Sequence, residues 1–163
     1  LELGVPVKQI EAMVMGGHGD TMVPLPRFTK VNGKNLQDLI KEGKISEDKV
    51  EKINQRTRDG GAEIVKLLEK GSAYYAPAAS GVEMAISYLN DEKKILPCAV
   101  YLNGEYGVKK MYAGVPVLIG NNGVEKIDEI ELDEKEKKEF LNSVNSVEKL
   151  WQAAIKIDPE LSN

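Results

Sequence analysis

A single cysteine, Cys98, is the entire thiol content of this 163-residue chain, which excludes an internal disulfide. The apolar run around it reads as a site for a buried small hydrophobe, not for a nucleophile. A reducing compartment fits that usage, and the expectation is a cytoplasmic protein. Histidine is equally scarce, since His18 stands alone. One histidine and one cysteine far apart do not make a Cys/His zinc site, so no metal is expected. Arginine occurs only at Arg27, Arg56 and Arg58, the lysines are scattered among acids, and the net charge is -4. That is not the basic face a phosphate backbone requires, and nucleic acid is not an expected partner. No apolar run approaches the roughly 18 residues that cross a bilayer, and no signal-peptide pattern opens the chain, so no membrane partner is expected. The chain opens Leu1-Glu2-Leu3-Gly4 without methionine, as if joining an earlier element. We expect an excerpt of a longer polypeptide.

What is present suffices for one domain over residues 1–163. Hydrophobic residues make up 42% of the chain and charged ones 29%, enough for one core in an ordinary soluble protein. Residues Val7 to Met15 read as a short strand through Ile10, Ala12 and Val14. It ends on Gly16-Gly17-His18-Gly19-Asp20-Thr21, where glycines on both sides of the imidazole permit a sharp turn and the close approach of another molecule. A rigid strand end suits a catalytic group, and histidine changes charge near physiological pH. A structural turn whose imidazole bonds to backbone fits the same residues, and His18-Gly19-Asp20 alone does not choose between the two.

Val23-Pro24-Leu25-Pro26 is extended, because each proline fixes its own φ and pushes its predecessor out of the helical region. Phe28 to Val31 reads as a strand running into the Asn32-Gly33 turn, and Leu36, Leu39 and Ile40 as a short helix ended by Gly43. Ser46 caps a long helix with Glu47 and Asp48 in its first turn. Val50, Ile53, Ile64, Val65 and Leu68 keep helical spacing, which predicts one buried face. Gly60-Gly61 interrupts that helix at about 1 kcal/mol each relative to alanine, so a bend or close backbone packing is expected there. Arg56 and Arg58 read as solvated or subunit-contact residues. The small-residue run Gly71 to Ser80 suggests a packed wall or a helix entry, and a third helix follows through Met84 to Leu89. Three strands, Ile95 to Leu102, Tyr112 to Ile119 and Val124 to Glu131, are separated by short turns at Asn103-Gly104 and Asn121-Asn122-Gly123, which implies an antiparallel meander. Asp133, with Glu136 three residues on, caps an amphipathic helix of about five or six turns that should cover the sheet. The order predicts an α+β fold: an antiparallel sheet covered by long helices.

Three blocks, Gly16-Gly17-His18-Gly19-Asp20-Thr21-Met22-Val23-Pro24-Leu25-Pro26-Arg27, Gly71-Ser72-Ala73-Tyr74-Tyr75-Ala76-Pro77, and Leu96-Pro97-Cys98-Ala99 with Gly104-Glu105-Tyr106-Gly107-Val108, together resemble the C-terminal domain of the lactate/malate dehydrogenase family. The likeness is greatest to the bacterial malate dehydrogenases of the lactate-dehydrogenase-like type. The resemblance implies interconversion of malate and oxaloacetate with NAD, a step of the tricarboxylic acid cycle, and it makes His18 the proton donor and acceptor. It implies that Ala73 lines the substrate pocket, where lactate enzymes commonly carry threonine, and that Pro77 packs against the nicotinamide. The small Ala73 leaves room for oxaloacetate. It also implies a homodimer or homotetramer. The family's glycine-rich phosphate loop, the aspartate that orients the histidine and the arginines that grip the substrate all precede the residue equivalent to Leu1, so no Rossmann domain is expected in this chain. Asp20 is not that aspartate. The isolated chain is then expected to be inactive. A lactate or other 2-hydroxy acid dehydrogenase domain, or a non-catalytic oligomerisation module, would share these features.

Overall fold

A computed structural model describes residues 2–162, and Leu1 and Asn163 lie outside the described residues. The stretch ahead of the first helix is built from very short strands. After a 3-10 turn at Val7–Gln9 come β1 (Ile10–Glu11) and β2 (Val14–Met15), then β3 (Val23–Pro24), a second 3-10 turn at Pro26–Phe28, β4 (Lys30–Val31) and β5 (Lys34–Asn35). The single strand expected from Val7 to Met15 is therefore broken. Its two halves take different partners, Ile10 facing Val31 in one sheet and Val14 facing Pro24 in another. The strand expected from Phe28 begins only at Lys30, because Pro26 fits the first position of a 3-10 turn in which the Phe28 N–H donates to the Leu25 carbonyl at 3.0 Å. Asn32 at φ 51° and Gly33 at φ 73° join β4 to β5, as a tight Asn-Gly hairpin requires.

Helix α1 (Leu36–Lys41) starts where the Asn35 side chain accepts the Gln37 N–H at 2.8 Å. Helix α2 (Glu47–Leu68) starts on Ser46, whose hydroxyl accepts the Lys49 N–H at 3.2 Å. It runs unbroken through Gly60-Gly61, and a Cβ at either position would meet nothing within 4 Å. The helix is not interrupted, since a glycine costs a helix propensity but keeps its hydrogen-bond ladder, and no backbone of this chain packs closely on the pair. Of the expected apolar face only Val50 is buried, whereas Ile53, Ile64, Val65 and Leu68 are 37–48% exposed. Helix α3 (Tyr75–Leu89) carries a single charge, Glu83, yet Val82, Ile86, Tyr88 and Leu89 face outward. Its fixed point is the fully buried Ser87, which donates to the Ile119 carbonyl at 2.8 Å and accepts the Lys94 N–H at 3.3 Å.

Strands β6 (Lys94–Asn103), β7 (Lys109–Gly120) and β8 (Gly123–Ile127) form the expected antiparallel meander. The turn between β6 and β7 is longer than Asn103-Gly104 alone. Residues Glu105–Gly107 form a 3-10 turn with Tyr106 at φ 53°. Tyr106 also explains why β8 stops at Ile127 and not Glu131: its hydroxyl donates to the Asp128 carbonyl at 3.1 Å and accepts the Ile130 N–H at 2.9 Å. Those backbone groups are thereby satisfied without a ladder partner. Cys98, expected to be buried, is only half-buried on β6, where desolvation raises its thiol pKa above the usual range and its Sγ lies 3.4 Å from Met84 Sδ.

Helix α4 (Glu134–Ile157) opens on the expected capping box, the Asp133 carboxylate accepting the Glu136 N–H at 2.8 Å while Glu136 accepts the Asp133 N–H at 3.0 Å. At 24 residues it exceeds the expected length by about one turn. Its first half covers β7 and β3 with Phe140, Ser143 and Val144, all buried. Further along the apolar stripe of the helix that should cover the sheet, Leu150 and Trp151 are 73% and 40% exposed. The main core joins Phe140 and Val144 to Met15, Val23, Leu25, Leu102, Val115 and Val117. Burying each large apolar side chain of this kind contributes about 1.5–3 kcal/mol. The α+β class thus stands, with one meander and two small sheets in place of a single one.

Candidate functional site

The His18 loop spans the gap between β2 and β3, and both its feet are in the core, Met15 at 1% and Val23 at 2% exposure. Three separate elements then hold its backbone. On the β7 side, Gly16 and Gly114 exchange two hydrogen bonds, N to O in each direction at 2.8 Å. So close a backbone approach leaves no room for a side chain, and a Cβ on Gly114 would lie 2.8 Å from the Gly16 oxygen. Gly16 itself sits at φ 89°, with a built Cβ only 2.4 Å from Ser143 Oγ. On the α4 side, the Gly17 N–H donates to Ser143 Oγ at 2.8 Å, and that hydroxyl donates to Thr21 Oγ1 at 3.3 Å. On the α2 side, Arg58 Nε donates to the Met22 carbonyl at 3.2 Å.

His18 rides on this clamped backbone with its side chain exposed, and its ring makes no hydrogen bond or ion pair with any described residue. A turn held together by its imidazole would show such a bond. The structure instead has a loop fixed by neighbouring backbone and hydroxyl groups, carrying a ring free to meet another molecule. Asp20 is exposed on the same loop and forms no ion pair with His18.

Each of the three arginines has a partner within this chain. Arg27 grips Glu136 with two bonds of 2.9 and 2.7 Å and donates to the Glu131 carbonyl at 2.8 Å. Its bond to the Glu136 carboxylate raises its already high pKa. Arg56 is exposed and pairs with Glu63 one helical stretch away, which fits the solvated reading and pushes the Glu63 carboxyl below its usual range. Arg58 departs from that reading by bracing the His18 loop.

Ala73 is half-buried in the segment between α2 and α3, and Pro77 is exposed in the first turn of α3, where a missing N–H costs nothing. Two clefts border the loop and its strands. One of about 510 Å³ is mostly apolar, between the N-terminal strands and α2, with Leu3, Val5, Ile10, Val14 and Ile53 in its wall. The other, of about 200 Å³, lies behind the loop and is lined by Thr21, Arg58, Asn142, Ser143 and Ser146. His18, Ala73 and Pro77 line neither, so the chain does not bring the three into one of these pockets. Among the described residues no group of histidine, cysteine and carboxylates could hold a metal, and no helix is long and apolar enough to cross a membrane.

Sequence reasoning missed Gly114, Ser143, Thr21 and Arg58 as supports of the loop. Two signals were available. A glycine inside a strand marks close backbone approach, and a serine on the apolar stripe of α4, between Phe140 and Val147, marks a buried hydroxyl that needs partners.

The comparisons with known proteins agree with this geometry. The family model for the lactate/malate dehydrogenase, alpha/beta C-terminal domain matches residues 1–156. A malate dehydrogenase of Pelagibacter ubique (strain HTCC1062) is 76% identical over 162 residues, covering 99% of this chain and 51% of that protein. Among solved structures, malate dehydrogenase of Cryptosporidium parvum superposes with a TM-score of 0.89 at 45% identity, over 93% of this chain and 48% of that one. Lactate dehydrogenase of Eimeria maxima, solved with NADH and oxamate, superposes with a TM-score of 0.91 at 40% identity, over 97% of this chain and 49% of that one. The chain spans about half the length of the relatives it matches. It belongs to the lactate/malate dehydrogenase family and corresponds to that family's alpha/beta C-terminal domain.

Proposed function

We propose that this chain is the substrate-binding half of an NAD-dependent malate dehydrogenase and that His18 is its proton donor and acceptor. The observation that carries the reading is an exposed, unpartnered imidazole on a backbone clamped from three sides, in a chain 76% identical to a malate dehydrogenase. In reduction of oxaloacetate the protonated ring hydrogen-bonds to the substrate carbonyl and delivers a proton to the oxygen as charge develops on it. In oxidation the neutral ring takes the hydroxyl proton back. An alkoxide formed without such a donor would be high in energy.

NAD supplies the hydride when bound. The described residues fit only part of it: Pro77, in the apolar first turn of α3, suits an uncharged ring, with Ala73 ahead of it on the substrate side, and no G-x-G-x-x-G turn follows a strand to hold phosphates. We assign the phosphate loop, the carboxylate that orients His18 and the arginines that grip substrate to a Rossmann half joined ahead of this chain. All three arginines here being engaged supports that division of labour. The outward apolar residues of α2 and α3 support contacts with that half and with other subunits of a homodimer or homotetramer. The single half-buried thiol supports a cytoplasmic location.

The test is NADH oxidation with oxaloacetate, run on this chain alone and on the polypeptide that joins it to its N-terminal half. The joined protein turns over and the chain alone gives only background. Clear turnover by the chain alone would sink the proposed division.

A further inference from the structure

We propose that Ser143 is a positioning residue for His18, acting through the Gly17 amide. The inference rests on His18 being the proton donor and adds a part that α4 plays in it. Ser143 is 1% exposed on the inner face of α4, far from the loop in sequence, and its hydroxyl both accepts and donates. It accepts the Gly17 N–H at 2.8 Å and donates to Thr21 Oγ1 at 3.3 Å. Gly17 immediately precedes His18, and Thr21 lies three residues after it. One hydroxyl therefore ties together the two ends of the five-residue arc Gly17 to Thr21 that carries the imidazole.

A helix serine has an easier use for its hydroxyl, a bond back to the carbonyl one turn earlier, as Ser146 makes to Asn142 at 3.2 Å. Ser143 instead spends its proton across the interface. The neighbouring contacts give the hydroxyl leverage. Gly16, Gly17 and Val147 pack around it so tightly that a built Cβ on Gly16 comes within 2.4 Å of the Oγ, and one on Gly17 within 2.8 Å of Val147. Without the bond to Ser143, the Gly17 peptide has a partly buried donor to satisfy and no partner at that place, so it rotates towards solvent and carries the His18 Cα with it. A displacement of about 1 Å at a proton donor costs on the order of 100-fold in rate.

The experiment uses the full polypeptide, joined to its N-terminal half. Ser143→Ala is expected to lower kcat for oxaloacetate reduction by about tenfold to 100-fold, with NADH affinity unchanged. The primary isotope effect on kcat from 4-deuterated NADH is expected to rise, because the hydride and proton steps become slower than product release. A loss of correctly folded protein lowers kcat but leaves the isotope effect where it was. Thr21→Ser keeps the acceptor and retains near-parental kcat, whereas Thr21→Val removes it and loses several-fold; this pair carries the test if Ser143→Ala does not fold. Parental kcat and isotope effect in Ser143→Ala, or equal kcat in the two Thr21 variants, overturns the proposal. His18→Ala assayed beside them separates the two claims. If it stays active the proton-donor reading fails, and if it is dead while Ser143→Ala is normal, only the role of Ser143 fails.

Discussion

Replacing His18 by alanine in the joined polypeptide lowers kcat/KM for oxaloacetate by about 100-fold to 10,000-fold, the range over which a positioned acid or base contributes. NADH affinity is expected to hold within about twofold, because the loop that binds the cofactor's phosphates belongs to the N-terminal half in the proposed arrangement. Folding is expected to hold as well. Within this chain the ring is exposed and makes no bond to a described residue, so its removal opens no cavity in this domain's core and leaves unpaired only the orienting carboxylate assigned to the N-terminal half. The separation of effects is what makes the variant informative: rate falls while thermal midpoint and cofactor affinity stay. Steady-state kinetics with oxaloacetate, beside NADH fluorescence titration, reads both quantities. A variant that turns over at a near-parental rate would refute the proton-donor role.

The largest structural effect is expected at Gly114, which carries no chemistry. Alanine there puts a methyl carbon 2.8 Å from the backbone oxygen of Gly16. Backbone cannot swing aside as a long side chain can, so β7 and the His18 loop must part. Both 2.8 Å hydrogen bonds between the two glycines are then lost or stretched. Overpacking of this kind costs about 1–3 kcal/mol and each net hydrogen bond about 1 kcal/mol. Gly114→Ala should therefore lose about 3 kcal/mol of stability and, in the part that still folds, most of the activity, since the loop that moves is the one bearing His18. Denaturant unfolding of the joined polypeptide measures the first and kcat the second. An alanine variant as stable as the parent would show that the loop is not seated on β7 as described.

Elements whose cause is local were legible in the sequence. The Asp133–Glu136 capping box, the Ser46 cap and the Asn32-Gly33 hairpin each depend on residues within a few positions, and each stands in the structure. The strand expected over Val7 to Met15 failed because a strand is defined by its partners. Ile10 and Val14 share a pattern but pair with different strands. The apolar stripe of α2 was correctly seen as apolar, yet a sequence pattern does not say whether the covering surface belongs to the same chain. Here Ile53, Val65 and Leu68 stay exposed. The site divides the same way. His18 was visible from its glycines and its solitude, while the serine that holds its loop sits on another element, and only folding brings Ser143 to Gly17.

The most direct test of the central claim is the rate of NADH oxidation by the joined polypeptide with oxaloacetate, set against pyruvate under the same conditions. The proposed arrangement, with His18 as proton donor and the small Ala73 on the substrate side, predicts that oxaloacetate is reduced and pyruvate turned over far more slowly. Preference for pyruvate, or no turnover of either acid, would contradict the account.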